Sequence, residues 1–217
     1  MQADSVDGWL TEKEGRLLYE LAKKCGARGV IVEIGSWKGK STTWLARGSK
    51  EKSRAKIYAV DPHTGTASQK QRFGKIWTFD EFRKNIRNAG VSDVVVPLVK
   101  TSKEAAKGFD MPVELIFIDG DHDYDLVKLD FELWYPKVIE GGIMAFHDTT
   151  NWPGPKKVVE EEIYKSKNFR NIRLVGSITY AEKVNENSPV DRLGNRFALL
   201  WKKLRGFLYI MLKRFMG

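Results

Sequence analysis

Polar residues able to do chemistry close four apolar runs of this chain. Run 30–34 carries Glu33 and leads into Gly35-Ser36-Trp37-Lys38-Gly39, and run 56–60 ends at Asp61. Run 113–118 ends at Asp119-Gly120-Asp121-His122, and run 143–146 at His147-Asp148. Glycines at 35 and 39 let the backbone turn tightly and come close to a ligand. A carboxylate at Glu33, just ahead of that turn, repels a phosphate but suits a cationic amino-acid head. Asp61 stands where an acid accepts hydrogen bonds from two ribose hydroxyls. An imidazole such as His122 is the usual group for removing a proton from a hydroxyl at neutral pH, with the carboxylate of Asp121 as the alternative.

Blander readings compete with these. Glu33 and Asp61 could simply cap strand ends, and among Asp119, Asp121, Asp123 and Asp125 some must be solvated or cap the next helix. Gly35-Ser36-Trp37-Lys38-Gly39-Lys40-Ser41 comes close to a P-loop, and 115–119 could pass for the metal-binding strand of a nucleotide hydrolase. A P-loop, however, has four residues between its glycines, and this stretch has three. The shorter nest and the nearby Glu33 both disfavour a triphosphate. G-x-G-x-x-G, the dinucleotide signature, is absent.

The elements that must position these groups alternate between strand-like and helix-like, the pattern of a parallel sheet covered on both faces. Strands are expected at 30–34, 56–60, 94–99, 113–118, 143–146, 171–175 and 178–183. Helices are expected from a Thr11-x-x-Glu14 capping box to about 25, through Trp44 and Leu45, over 78–89, over 124–138 and near 156–165. Residues 62–77 form a loop long enough to be a lid. In such a sheet ligands bind outside the carboxyl ends of the strands, so the four polar ends should meet in one crevice.

Composition fits one α/β domain: 217 residues, 42% hydrophobic, 30% charged. The single cysteine, Cys25, excludes an internal disulfide, and there is no cysteine cluster for zinc. A polar start at 1–5 and the lack of an apolar run of about 18 residues point to a cytoplasmic location. The net charge of +9 is concentrated: residues 192–217 hold seven basic side chains and no acidic one, leaving +2 for the rest. That distribution argues against a nucleic-acid groove.

Val32-Glu33-Ile34-Gly35-Ser36-Trp37-Lys38-Gly39-Lys40-Ser41-Thr42 resembles the first motif of class I S-adenosylmethionine-dependent methyltransferases. Phe117-Ile118-Asp119-Gly120-Asp121-His122-Asp123-Tyr124 and Gly141-Gly142-Ile143-Met144-Ala145-Phe146-His147-Asp148 are similar to motifs of one small subgroup, related to metal-dependent O-methyltransferases of catechols and natural-product sugars. The likeness spans about residues 10–183. It implies a doubly wound, Rossmann-like α/β fold with a mostly parallel seven-stranded sheet, and methyl transfer from S-adenosylmethionine to an oxygen of a small hydroxylated or sugar-like acceptor. It implies that Glu33 and the backbone from Gly35 through Ser36 to Gly39 hold the methionine part and Asp61 the ribose, that Thr101 and Ser102 lie near the adenine, and that Ser41 and Asp119 also belong to the cofactor site. His122 or Asp121 would be the base. Positions 119, 147 and 148 match ligands of a divalent metal, but the relatives carry a carboxylate where this chain has His147. That change moves preference from magnesium towards manganese, iron or zinc, or towards no metal, with His147 then a buried histidine orienting Asp148. A cofactor-binding module without catalysis is the alternative of a different class.

Domain 1–187 is followed by a tail, 188–217, opening with Ser188-Pro189-Val190-Asp191 as helix start. Phe197, Leu200, Trp201, Leu204, Leu208, Met211, Leu212 and Phe215 share one stripe at helical spacing, with every basic residue outside it. Gly194 and Gly206 weaken this basic amphipathic helix. Three readings stay open: packing on the domain or a second copy, lying peripherally on an anionic membrane surface, or loose order.

Overall fold

Thr11 and Glu14 exchange the bonds of a capping box, and helix α1 (Glu12–Lys24) starts there. The computed structural model describes residues 6–26, 28–66, 70–71 and 74–216. After α1 come β1 (Val30–Ile34), α2 (Lys40–Lys50), β2 (Ile57–Val60), α3 (Phe79–Asn88) and β3 (Val95–Leu98). Then follow α4 (Ser102–Lys107), β4 (Val113–Ile118), α5 (Tyr124–Trp134) and β5 (Val138–Phe146). The chain goes on through α6 (Pro153–Val158), a π-helical stretch (Val159–Tyr164), β6 (Phe169–Val175), β7 (Ile178–Lys183) and α7 (Pro189–Met216).

The strands form one seven-stranded sheet in the order β3-β2-β1-β4-β5-β7-β6, parallel except for β7, which runs antiparallel to both neighbours. Strands buried on both faces need no polar alternation, and the continuous apolar runs follow from that. Ile31, Ile57, Leu115, Phe117 and Ala145 face Leu18, Trp44, Leu45, Phe82 and Ile86 of α1, α2 and α3. On the other side Val32, Ile116, Ile118, Met144 and Phe146 meet Val127, Phe131 and Trp134 of α5, Val158 of α6, and Val159 and Ile163 of the π-helical stretch.

Several elements differ from their sequence expectation. Helix α4 was not expected; the Thr101 capping box with Glu104 nucleates it in the β3–β4 connection. Strand β5 begins at Val138, five residues early, passing Gly141 at φ +76°. The helix expected near 156–165 starts at Pro153, whose fixed φ suits a first turn, and loosens to π geometry after Val158. Residues 67–69 and 72–73 of the expected lid lie outside the described residues.

Candidate functional site

Strand order reverses at β1, which lies between β2 and β4, and this switch point opens a crevice at the carboxyl ends. Register decides what gathers there. Ile34 pairs with Val60 and with Ile118, and Ile118 with Phe146. The next residue of each strand keeps the row: Gly35 N donates to Val60 O (2.9 Å), Asp119 N to Ile34 O (2.9 Å) and His147 N to Ile118 O (3.0 Å). Asp61 N likewise donates to Leu98 O (3.1 Å). Asp61, Gly35, Asp119 and His147 are thereby neighbours across the sheet.

Glycine at 35 is required by space: at φ +87°, a Cβ would sit 2.2 Å from the Asp119 carbonyl oxygen. Beyond it the loop is braced from outside. Asp61 Oδ2 accepts from Trp37 N (2.7 Å) and Oδ1 from His63 N (2.6 Å), while Lys38 pairs with Glu81 (2.9 Å) and Asn85 donates to Lys38 O (2.9 Å). Gly39, at φ +90°, caps α2. Among the described residues five non-glycines have left-handed φ, and three of them, Trp37, His63 and Asp148, follow strands β1, β2 and β5 in this site. Strain of this kind persists where surrounding bonds enforce it.

Glu33 points to the α2 face, fully buried, and accepts from Thr42 Oγ1. Burial pushes its carboxyl up to about 8, helped by Asp119 and Asp61 and opposed by hydroxyl bonds from Ser41 and Thr42. Its Oε1 and the hydroxyl of Ser36 are buried without a hydrogen-bond partner among the described residues. Such atoms are costly unless a donor reaches them, and a bound cationic head at this strand end would relieve the cost. Asp61 uses one lone pair per oxygen on the loop, and a carboxylate has about four acceptor sites, so two hydroxyls can still be accommodated. The residues present therefore fit an aminoacyl nucleoside. Thr101 and Ser102 stand at the start of α4: Thr101 caps it, and Ser102 Oγ accepts from Trp134 Nε1 (2.8 Å) and bonds Asp130.

Histidine and carboxylate groups meet on the β4–β5 side. His147 Nδ1 lies 3.0 Å from Asp119 Oδ1 and 3.4 Å from Asp148 Oδ2, and its Nε2 lies 3.7 Å from Glu14 Oε2. Burial alone would lower the His147 pKa, but Asp119, Asp148 and Glu14 together push it up to about 12. The Nδ1 of His147 is thus directed at Asp119 and Asp148. His122 also reaches in, from the β4–α5 turn, its Nε2 2.9 Å from Asp148 Oδ2. The atoms of Asp119, His122 and Asp148 that could ligate an ion lie within 4.8 Å of one another. Asp119, His122 and Asp148 thus form a second possible set beside 119, 147 and 148, to which the resemblance points and which also lie together. Two carboxylates and an imidazole fit a first-row divalent ion better than magnesium.

Asp148 is held well below the usual carboxylate range: burial opposes this, but His122 and His147 both stabilise its charge. Asp119 moves the other way, raised by burial and by Asp148 against the pull of His147 and His122. Asp121 turns back on its own loop, Oδ1 accepting from His122 N (2.7 Å) and Asp123 N (3.1 Å), and Asp123 caps α5.

Three contributors escaped the sequence. Glu14, on α1, accepts from Ser177 N (2.7 Å) and Ser177 Oγ (2.8 Å) as well as facing His147; its capping box was legible, its second partner was not. Trp152 stacks on His122 with ring centroids 4.2 Å apart and planes 16° from parallel. Asp130, buried on α5, is pushed up to about 6 by burial.

Residues 32–149 match the family model described as a methyltransferase domain. A catechol O-methyltransferase of Mycobacterium tuberculosis is 30% identical over 128 residues, 57% of this chain and 50% of that protein. The chain spans about half the length of the curated relatives it matches over more than a hundred residues. Among solved structures, the O-methyltransferase NovP aligns with TM-score 0.67 at 19% identity, over 80% of both chains. An O-methyltransferase of Bacillus cereus in complex with S-adenosylhomocysteine aligns with TM-score 0.61 at 21% identity, over 83% of this chain and 86% of that one. These structural likenesses concern the fold, and the fold carries the switch-point crevice described above. With the family model covering more than half its length, the chain belongs to the methyltransferase-domain family of class I S-adenosylmethionine-dependent methyltransferases.

Proposed function

We propose that the chain transfers the methyl group of S-adenosylmethionine to an oxygen of a small hydroxylated or sugar-like acceptor. The observation that carries this reading is the row of strand ends: an unpaired buried acceptor at Glu33, a clamped acid at Asp61, and the His122–Asp148 pair in one crevice. The donor's sulfonium supplies an already activated methyl group, so the protein's work is alignment and proton removal. Glu33 and the 35–39 backbone hold the amino-acid end, and Asp61 the ribose. Asp148, ionised, accepts from one nitrogen of His122 and leaves the other to take the proton of the acceptor hydroxyl. If His122 instead joins Asp119 and Asp148 around a divalent ion, that ion would lower the hydroxyl's pKa and Asp121 would take the proton.

Transfer of labelled methyl from the donor to a panel of catechols, phenols and sugars tests this. His122→Ala should lower kcat by about 10²–10⁴-fold with S-adenosylhomocysteine affinity unchanged. Loss of activity on chelation, restored by manganese, would assign Asp119, His122 and Asp148 to a metal; indifference to chelation would leave His122 as base. Cofactor binding with no acceptor methylated, and indifference to replacing Asp121 and His122, would mean a binding module. A triphosphate site would need Lys40, but its ammonium donates to Gly8 O at 3.0 Å.

A further inference from the structure

Helix α7 attaches to the domain by one side. Asn195 donates to Phe169 O (2.8 Å), Ala198 and Leu199 pack on the core beside β6, and Lys202 is buried with its ammonium 5.3 Å from the Tyr164 ring centre. Among the described side chains, the opposite side is exposed. Val190, Leu193, Phe197, Leu200, Trp201 and Leu204 are between 46% and 79% exposed. At 3.6 residues per turn they fall within an arc of roughly 100°. A monomeric soluble protein seldom leaves an unbroken apolar stripe with Trp and Phe at its centre.

Charge identifies what covers it. Arg196 and Lys203 flank one edge of the stripe and Arg205 the other, all exposed, and no acidic residue follows Asp191. A second copy of this chain is a poor match, because a two-fold interface would set one basic helix against another. Nucleic acid would meet an apolar centre where it needs cations. An anionic bilayer matches both parts: the stripe enters the headgroup–acyl boundary while the flanking basic groups stay with the lipid headgroups. Among the described residues no helix is long and apolar enough to cross a membrane, which leaves α7 lying in the plane of the surface. We propose that the outer face of α7 docks this protein onto an anionic lipid surface.

The 217-residue chain should sediment with vesicles of phosphatidylcholine mixed with phosphatidylglycerol, not with phosphatidylcholine alone, and salt should weaken the association. Replacing Leu200 and Trp201 by Glu together should reduce binding by about tenfold or more, with the thermal melt unchanged because neither packs on the domain. Phe197→Ser, a milder change on the same face, should give a smaller loss if the double variant is unstable. Failure to sediment with either vesicle overturns the proposal. So does sedimentation that these variants leave intact, or a wild-type dimer that Trp201→Glu converts to monomer. None of these readings depends on methyl transfer.

Discussion

Glu33 shows how one carboxylate can be costly to the fold and useful to the site. Its pKa rises from 4.5 to about 8 on burial, so between those values the folded chain holds a proton that the unfolded chain has released. Stability contributed by that proton is complete below pH 4.5 and is lost as pH climbs through 8. Glu33→Gln should therefore raise the melting stability at pH 8 by roughly 2 kcal/mol, while weakening S-adenosylhomocysteine binding. Binding should also strengthen from pH 6 to 8 in wild type, because a cationic head favours the ionised form, and calorimetry in buffers of different ionisation heat should register proton release. A flat pH profile, or Glu33→Gln binding as tightly as wild type, would remove Glu33 from the cofactor site. Asp61 braces the loop and, in the proposed reading, also holds the ribose, so Asp61→Ala should cost about 1–3 kcal/mol of cofactor affinity, read by the same titration.

At the scale of elements, the closest tolerance is where β1 passes the end of β4. Gly35→Ala would force a Cβ against the Asp119 carbonyl in a left-handed conformation, and about 3 kcal/mol or more of stability should go with it. Gly194 makes the opposite case. It lies within α7 with nothing within 4 Å of a built Cβ, so Gly194→Ala should stabilise by about 1 kcal/mol in denaturant unfolding. The short elements also show where sequence stops being readable. Thr101-x-x-Glu104 has the same form as Thr11-x-x-Glu14, yet only the latter introduces a long amphipathic run; a helix of six residues gives periodicity no length to show in. In the fold the hydroxyls of Thr101 and Ser102 serve the α4 capping box and Trp134.

For the molecule as a whole, the positions of the seven strands and the convergence of their polar ends were legible because doubly buried strands write continuous apolar runs and break them at the carboxyl end. Gly35, Asp61, Asp119 and His147 could be placed by that rule alone. The partners of His147 could not, since Glu14 precedes it by a long stretch of chain and no local pattern links them. Nor could the stacking of Trp152 on His122, or the approach of His122 to Asp148. Glu14 supplies the long-range tie: buried, held below the usual carboxylate range by His147, Thr11 and Ser177 against the effect of burial, it joins α1 to the β6–β7 turn. Glu14→Ala should cost about 3–5 kcal/mol in unfolding experiments, and a loss under about 0.5 kcal/mol would reduce it to a surface cap.

That tie has a consequence for how the protein is made. Glu14 leaves the ribosome well before the serine it grips, which is 163 residues further along. During translation the parallel strands can assemble while His147 still lacks its anchored counter-charge, and only the emergence of the last hairpin completes the pocket. A nascent chain stalled before Ser177 would present a sheet of nearly correct topology and a candidate site not yet assembled.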